Sequence, residues 1–296
     1  MTSQGEWAIM QVGFSFPLFE VGNDPGAIKS LLQAVDQLGF DYLTNIDHVL
    51  GVDQESHPGY DPIPGFPQHY LLRFPFHEMF TLFAFAAAVT ERVKLFSTIL
   101  LLAQRQTGLV AKQAAEVDIL SNGRLMLGVG VGHTDIEFKG LDVDFHTRGR
   151  RMSEQIEVLR QLWTNEVVHF KGEFHDLDGV GINPLPVQRP IPIWIGGWSR
   201  GALERAARLA DGLCYPMRPV AELKQMVADA GRDPETFGFV SGVTVTRDGN
   251  LDDAIRSAAA QHAQGITHVT VSTEGQGFTV DEHIAAITRW RDAYPG

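Results

Sequence analysis

Two glycine-rich strand ends and one acid–base pair are the places where residue type and spacing in this chain could do chemistry. The run Gly123-Arg124-Leu125-Met126-Leu127-Gly128-Val129-Gly130-Val131-Gly132 opens on a turn and becomes an apolar strand that ends in alternate glycines. Glycine there leaves peptide N–H groups bare, so an anionic or planar ligand can approach without meeting a Cβ. Taken alone, a β-bulge or tight turn explains the pattern equally well. A second stretch tips the balance. Pro192-Ile193-Trp194-Ile195-Gly196-Gly197 passes through Trp198 to Ser199, a good N-cap, and then a helix striped by Leu203, Ala206, Ala207 and Ala210. A helix start behind a Gly-Gly pair, with Arg200 beside it, is a natural phosphate cradle. The two sites lie on separate strands, so a one-unit dinucleotide fingerprint does not fit, and a ligand gripped from two sides is expected.

The acid–base pair is Asp47-His48. An imidazole whose tautomer is set by a nearby acceptor exchanges protons near neutral pH, and Asp47 is expected to steer His48 in this way. A histidine merely satisfied in a loop is the plain alternative; its place after a strand favours the functional reading. His48, His57, His69 and His77 fall in one region, but their spacing matches no ligand motif and prolines break the loop, so no metal site is expected. No nucleophile elbow or P-loop is present. Arg105 and Arg200 are the arginines whose positions after strands suit an anionic tail.

The elements that must position these residues follow from hydrophobic periodicity. Apolar runs read as strands at about 9–14, 42–46, 94–101, 125–131, 191–196, 212–216, 238–245 and 267–272. Helical patterns fill most gaps. The first has Asp24 as cap, Pro25 at its first position and a stripe of Ile28, Leu31, Leu32, Val35 and Leu38; the others run about 77–90, 107–121, 148–164, 199–210, 219–230, 250–264 and 279–293. Eight βα units predict an α/β fold, a (β/α)8 TIM barrel forming one domain over 1–296, with an open doubly wound sheet as the alternative. In a barrel the active site lies at the C-terminal strand ends, which brings together Phe16, Pro17, Asn45, Asp47, His48, Ser97, Thr98, Gly130 to His133, Gly196, Gly197 and Tyr215. Two segments break the rhythm. Residues 51–76 carry five prolines and the aromatics Tyr60, Phe66, Tyr70, Phe74 and Phe76, and are expected to form an ordered lid. Residues 166–183 read as a β-hairpin inserted before the fifth strand.

Composition narrows the partners. A net charge of −12 argues against nucleic acid or an anionic membrane, so any anion must be met locally. A single cysteine, Cys214, rules out an intrachain disulfide and reads as a small core residue. No signal peptide and no run of about 18 apolar residues is seen, so a cytoplasmic protein acting on a small molecule is expected.

Several ordered motifs carry a family resemblance. Asp47-His48-Val49, the stretch Ala111 to Arg124, Leu127 to Gly132, Arg148-Gly149-Arg150-Arg151, Leu162-Trp163, Phe170-Lys171-Gly172, Pro184 with Pro186, Pro192 to Gly197 and Arg205 to Gly212 resemble the luciferase-like monooxygenase superfamily. Within it the chain is most similar to actinobacterial oxidoreductases that use the deazaflavin coenzyme F420. The resemblance implies a barrel that is often a homodimer, with F420, or FMN in the alternative, at its mouth. It implies a third-strand bulge with a non-prolyl cis peptide under the ring, matched by Ser97 and Thr98. Its cofactor contacts fall on Asp47, Gly130, Val131, Gly132, His133, Gly196, Gly197, Trp198 and Ser199, and its acid–base dipeptide on Asp47 and His48. Where the sugar-phosphate dehydrogenase branch carries an acid after the fourth-strand glycines, this chain has His133, which puts a sugar substrate in doubt.

Overall fold

Each predicted strand forms because its run of branched and aromatic residues can be buried on both faces, as a parallel sheet between helices requires. In the computed structural model, which describes residues 10–64 and 70–294, eight of these strands close on one another. They are β1 (Gln11–Ser15), β2 (Tyr42–Asn45), β3 (Lys94–Leu101), β4 (Leu125–Gly130), β7 (Ile193–Gly196), β8 (Gly212–Cys214), β9 (Gly238–Thr244) and β10 (His268–Ser272). The circular order β1-β10-β9-β8-β7-β4-β3-β2 is parallel throughout. Closure removes the doubly wound alternative. A two-stranded antiparallel hairpin, β5 (Val168–Lys171) with β6 (Asp176–Val180), stands before β7.

The outer helices obey the local signals. In α2 (Pro25–Gln37) the Asp24 carboxylate accepts from the Gly26 amide at 2.9 Å, and Ile28, Leu31, Leu32 and Val35 are buried. In α10 (Val280–Ala293) Thr279 and Glu282 form a reciprocal capping box. Between them lie α3 (Met79–Val89), α4 (Thr107–Leu120), α6 (Arg148–Thr164), α7 (Arg200–Leu209), α8 (Val220–Asp229) and α9 (Leu251–Ala263). Two short helices were not anticipated, α1 (Leu18–Val21) and α5 (Asp135–Gly140). Neither is long enough to show a repeating apolar stripe.

Aromatic rings fill the lower half of the barrel interior. Phe96 and Trp194 meet edge to face at 5.2 Å, and Tyr42 meets Phe96 at 5.7 Å. The strand glycines make this possible. A Cβ on Gly13 would lie 2.0 Å from the Tyr42 ring, and Cβ atoms on Gly212 and Gly238 would lie 2.3 and 2.1 Å from the Trp194 ring. Cys214 is buried in the same layer. At the other end β3 departs from regularity: its register against β4 shifts between Ser97 and Leu100, and the Thr98–Ile99 peptide is cis. β8 stops at Cys214, short of the predicted 216, because Tyr215 turns to a φ of 53°.

Candidate active site

The chain leaving β2 carries Asp47 and His48 into the mouth, both buried. They do not form the expected couple. Asp47 accepts from the Leu101 amide at 3.0 Å and from Arg105 Nη2 at 2.8 Å. Burial pushes the Asp47 carboxyl up, against the pull of Arg105 and the Leu101 N–H. His48 Nδ1 instead lies 2.9 Å from Glu137 Oε2, on α5 after β4. Glu137 is 1% exposed, and its second oxygen accepts from the amides of Val49 at 2.6 Å and Leu50 at 3.0 Å. Burial alone would raise this carboxyl, but the His48 bond and the backbone N–H groups outweigh it and hold Glu137 below the usual range. An ionised Glu137 makes Nδ1 the hydrogen-bearing atom and leaves Nε2 as the proton acceptor of the imidazole. The carboxylate facing His48 is thus Glu137, and not the Asp47 expected from the sequence. Arg105 also bonds Glu78 Oε1 at 3.2 Å, so two carboxylates already engage it and an anionic tail would have to compete with them.

The two glycine-rich strand ends do converge, but on a side chain of the protein itself. A Cβ on Gly130 would lie 1.9 Å from Ile99 Cδ1, one on Gly196 2.8 Å from Ile99 Cγ2, and the Gly130 position is 3.9 Å from the Gly196 carbonyl oxygen. The glycines therefore admit Ile99 between β4 and β7, where a bare backbone for a ligand was expected. Ile99 is only partly buried, so the bulge presents an aliphatic floor at this level of the barrel. Ser97 is fully buried and its Oγ donates to the Gly128 carbonyl at 2.8 Å; the Thr98 hydroxyl meets that of Tyr215. Beyond the floor, Gly132 and Gly197 take φ values of 76° and 134°, and their Cβ positions fall 2.9 Å from Phe138 and 3.0 Å from Ala202. These two serve turns into α5 and α7. At α7 the Ser199 hydroxyl caps the Ala202 amide at 3.3 Å, Arg200 is exposed with Glu204 as partner, and nothing lies within 4 Å of a Cβ placed on Gly201. The N–H groups of this first turn and an open approach fit a phosphate-bearing group. Val131 is half-buried and Trp198 exposed on the same rim.

The described parts of the loop after β2 are held together by their aromatics. Val52 and Leu71 bridge, and Tyr70 donates to the Tyr60 carbonyl at 2.9 Å. Tyr60 donates to Asp135 at the start of α5. Val52, Tyr70 and Leu71 form a buried cluster with Tyr60, Phe74 and Ile136 against them. His133 sits between the loop and the pair, its ring 6.0 Å from Tyr70 and 5.9 Å from His48. Phe76 stacks edge-on to His48 at 5.0 Å. Phe66 and His69 lie outside the described residues. Among the described residues no group of three or more His, Cys, Asp or Glu side chains could hold a metal ion.

Three site residues escaped the sequence reading. Glu137 had a faint signal, Thr134-Asp135 with Glu137 close behind, which is a helix-start pattern. Ile99 had none, since nothing local says that a strand residue will fill the space of two distant glycines. Glu274, which follows β10, lies outside the predicted set and accepts from the Phe19 amide.

Comparison with known proteins agrees with this architecture. The luciferase-like monooxygenase family model matches residues 10–293. The protein Rv0940c of Mycobacterium tuberculosis is 34% identical over 244 residues, covering 81% of this chain and 83% of its own. An FMNH(2)-dependent dimethylsulfone monooxygenase of Pseudomonas fluorescens is 31% identical over 205 residues, 68% of this chain and 50% of its own. A solved F420-dependent secondary alcohol dehydrogenase, in complex with an F420-acetone adduct, shares the fold with a TM-score of 0.76 at 16% identity, covering 96% of this chain and 98% of that one. A closed parallel barrel with a broken third strand, matched by the family model over nearly its whole described length, makes this chain a member of the luciferase-like monooxygenase family.

Proposed function

We propose that this protein is an oxidoreductase that transfers a hydride between coenzyme F420 and a small organic substrate. The observation that carries the reading is His48 held by a buried, ionised Glu137 at the same end of the barrel as the Ile99 floor. F420, when bound, supplies the ring carbon that gives or accepts hydride. The chain's own residues do the rest. Ile99, raised by the bulge at Ser97 and Thr98, supports a flat ring from below. The first turn of α7, with Gly197, Trp198, Ser199 and Arg200, holds a phosphate. Val131, Gly132 and His133 border the ring on the β4 side. His48 Nε2 takes a proton from a substrate hydroxyl, or returns one, and Glu137 steadies the imidazolium so formed. Asp47 acts one step back: paired with Arg105 and the Leu101 amide, it fixes the β2 and β3 ends relative to each other.

Reduced FMN with molecular oxygen is the second reading, favoured by the FMNH(2)-dependent relative. Anaerobic titration of the purified protein with F420 and, in parallel, with FMN separates the two, read by the change in cofactor absorbance. Saturable binding of F420 at tens of micromolar or below, with FMN weaker, is expected. Preference for FMN moves the assignment to a flavin enzyme, and no saturable binding of either removes both.

A further inference from the structure

Next to the strand that carries His48, the segments after β1 and β10 hold each other by their carboxylates. Glu20 on α1 accepts from the Gly275 amide at 3.2 Å and from the Gly277 amide, both in the loop after β10. From that loop Glu274 reaches back and accepts from the Phe19 amide on α1 at 3.2 Å. Glu20 Oε2 also lies 3.3 Å from Nε2 of His283, a fully buried residue of α10 whose Nδ1 meets the Thr273 hydroxyl at 2.8 Å. The reciprocal clasp fixes Phe19. The Phe19 ring lies 4.3 Å from Phe74 and 5.9 Å from Phe76, and Phe76 is the ring packed on His48.

We propose that Glu274 is a positioning residue which sets, through Phe19, how firmly Phe74 and Phe76 are seated beside His48, and that the seat loosens as Glu274 loses its proton. The role of His48 rests on the function proposed above; the clasp itself does not. Burial and the neighbouring Glu20 charge raise the Glu274 carboxyl to about 7, against the Phe19 amide. Other groups face the clasp without offering Glu274 a counter-charge. His283 is held below its usual value by burial, although Glu20 and Glu282 oppose this. Arg247 is occupied by Glu282 and the carbonyls of Gln276 and Gly277, with Asp248 near it, and His77 bonds the Gly22 carbonyl. The sign follows. A carboxyl whose closed-clasp value exceeds its solvated value favours the closed state below the solvated value, and that advantage is lost as pH rises to about 7.

Hydrogen exchange of the cofactor-free protein, corrected for intrinsic rates, reads this directly over 18–21 and 70–76. Protection there is expected to fall roughly tenfold between pH 5.5 and pH 8 in the native protein, while core strands stay unchanged. Glu274→Gln should show no such fall. Glu20→Gln, which removes the like charge, should move the transition to lower pH. A flat native profile, or a fall that survives in Glu274→Gln with an unmoved transition in Glu20→Gln, overturns the proposal. Because no cofactor is present, failure here is distinguishable from failure of the F420 reading.

Discussion

The lower half of the barrel interior and its mouth use the same materials to opposite ends. Below, Gly13, Gly212 and Gly238 make room for Tyr42 and Trp194, and His268 is buried against them with its Trp194 contact at 4.8 Å. Its Nδ1 lies 2.8 Å from the Thr267 hydroxyl, and burial, with the Lys94 charge adding to it, lowers His268 to about 3. Above, Gly130 and Gly196 make room for a smaller and partly exposed Ile99, and the buried histidine there has an ionised acid as partner. Burial keeps the lower imidazole neutral at ordinary pH, while Glu137 sets which nitrogen of the upper one carries the hydrogen. Glycine below serves packing, and glycine above serves a floor.

The contrast can be broken at either end. Trp194→Ala empties the lower plug and should cost about 4 kcal/mol of stability by denaturant unfolding, with cofactor affinity falling only through the unfolded fraction. His48→Asn, which keeps a donor toward Glu137, should do the reverse, lowering turnover of an identified substrate roughly 10²- to 10³-fold while the unfolding midpoint moves far less than in Trp194→Ala. Equal stability losses in the two variants would dissolve the distinction. His268 sharpens it through pH. Its folded value lies below the unfolded one, so stability is complete above about 6.5 and is lost as pH falls toward 3. Unfolding free energy should drop by about 2 kcal/mol between pH 7 and pH 5, a component absent in His268→Gln. The smallest expected effect is at the rim. Ser199→Ala removes the α7 cap and should weaken binding of a phosphate-bearing cofactor by about 1 kcal/mol relative to the same cofactor's ring fragment. Equal losses for both ligands would take α7 out of the phosphate site.

Much of the frame was legible because it is local. Asp24 and Pro25 opened α2 where expected, Thr279 and Glu282 capped α10, and the eight apolar runs each produced a barrel strand. The site was legible only in part. Asp47, His48 and the glycines stand at the strand ends as the barrel prediction required, yet what each of them touches differs from the reading along the chain.

Residue order alone determined the alternation of β and α, the capping of the helices, and the arrival of His48 and the glycines at one rim, because periodicity and turn chemistry act over a few neighbouring residues. Closure of the barrel decided the rest. It brought Glu137 to His48 across 89 positions and laid Ile99 between Gly130 and Gly196, since contacts across a closed sheet depend on register and on which strands become neighbours, and neither is written in any single segment.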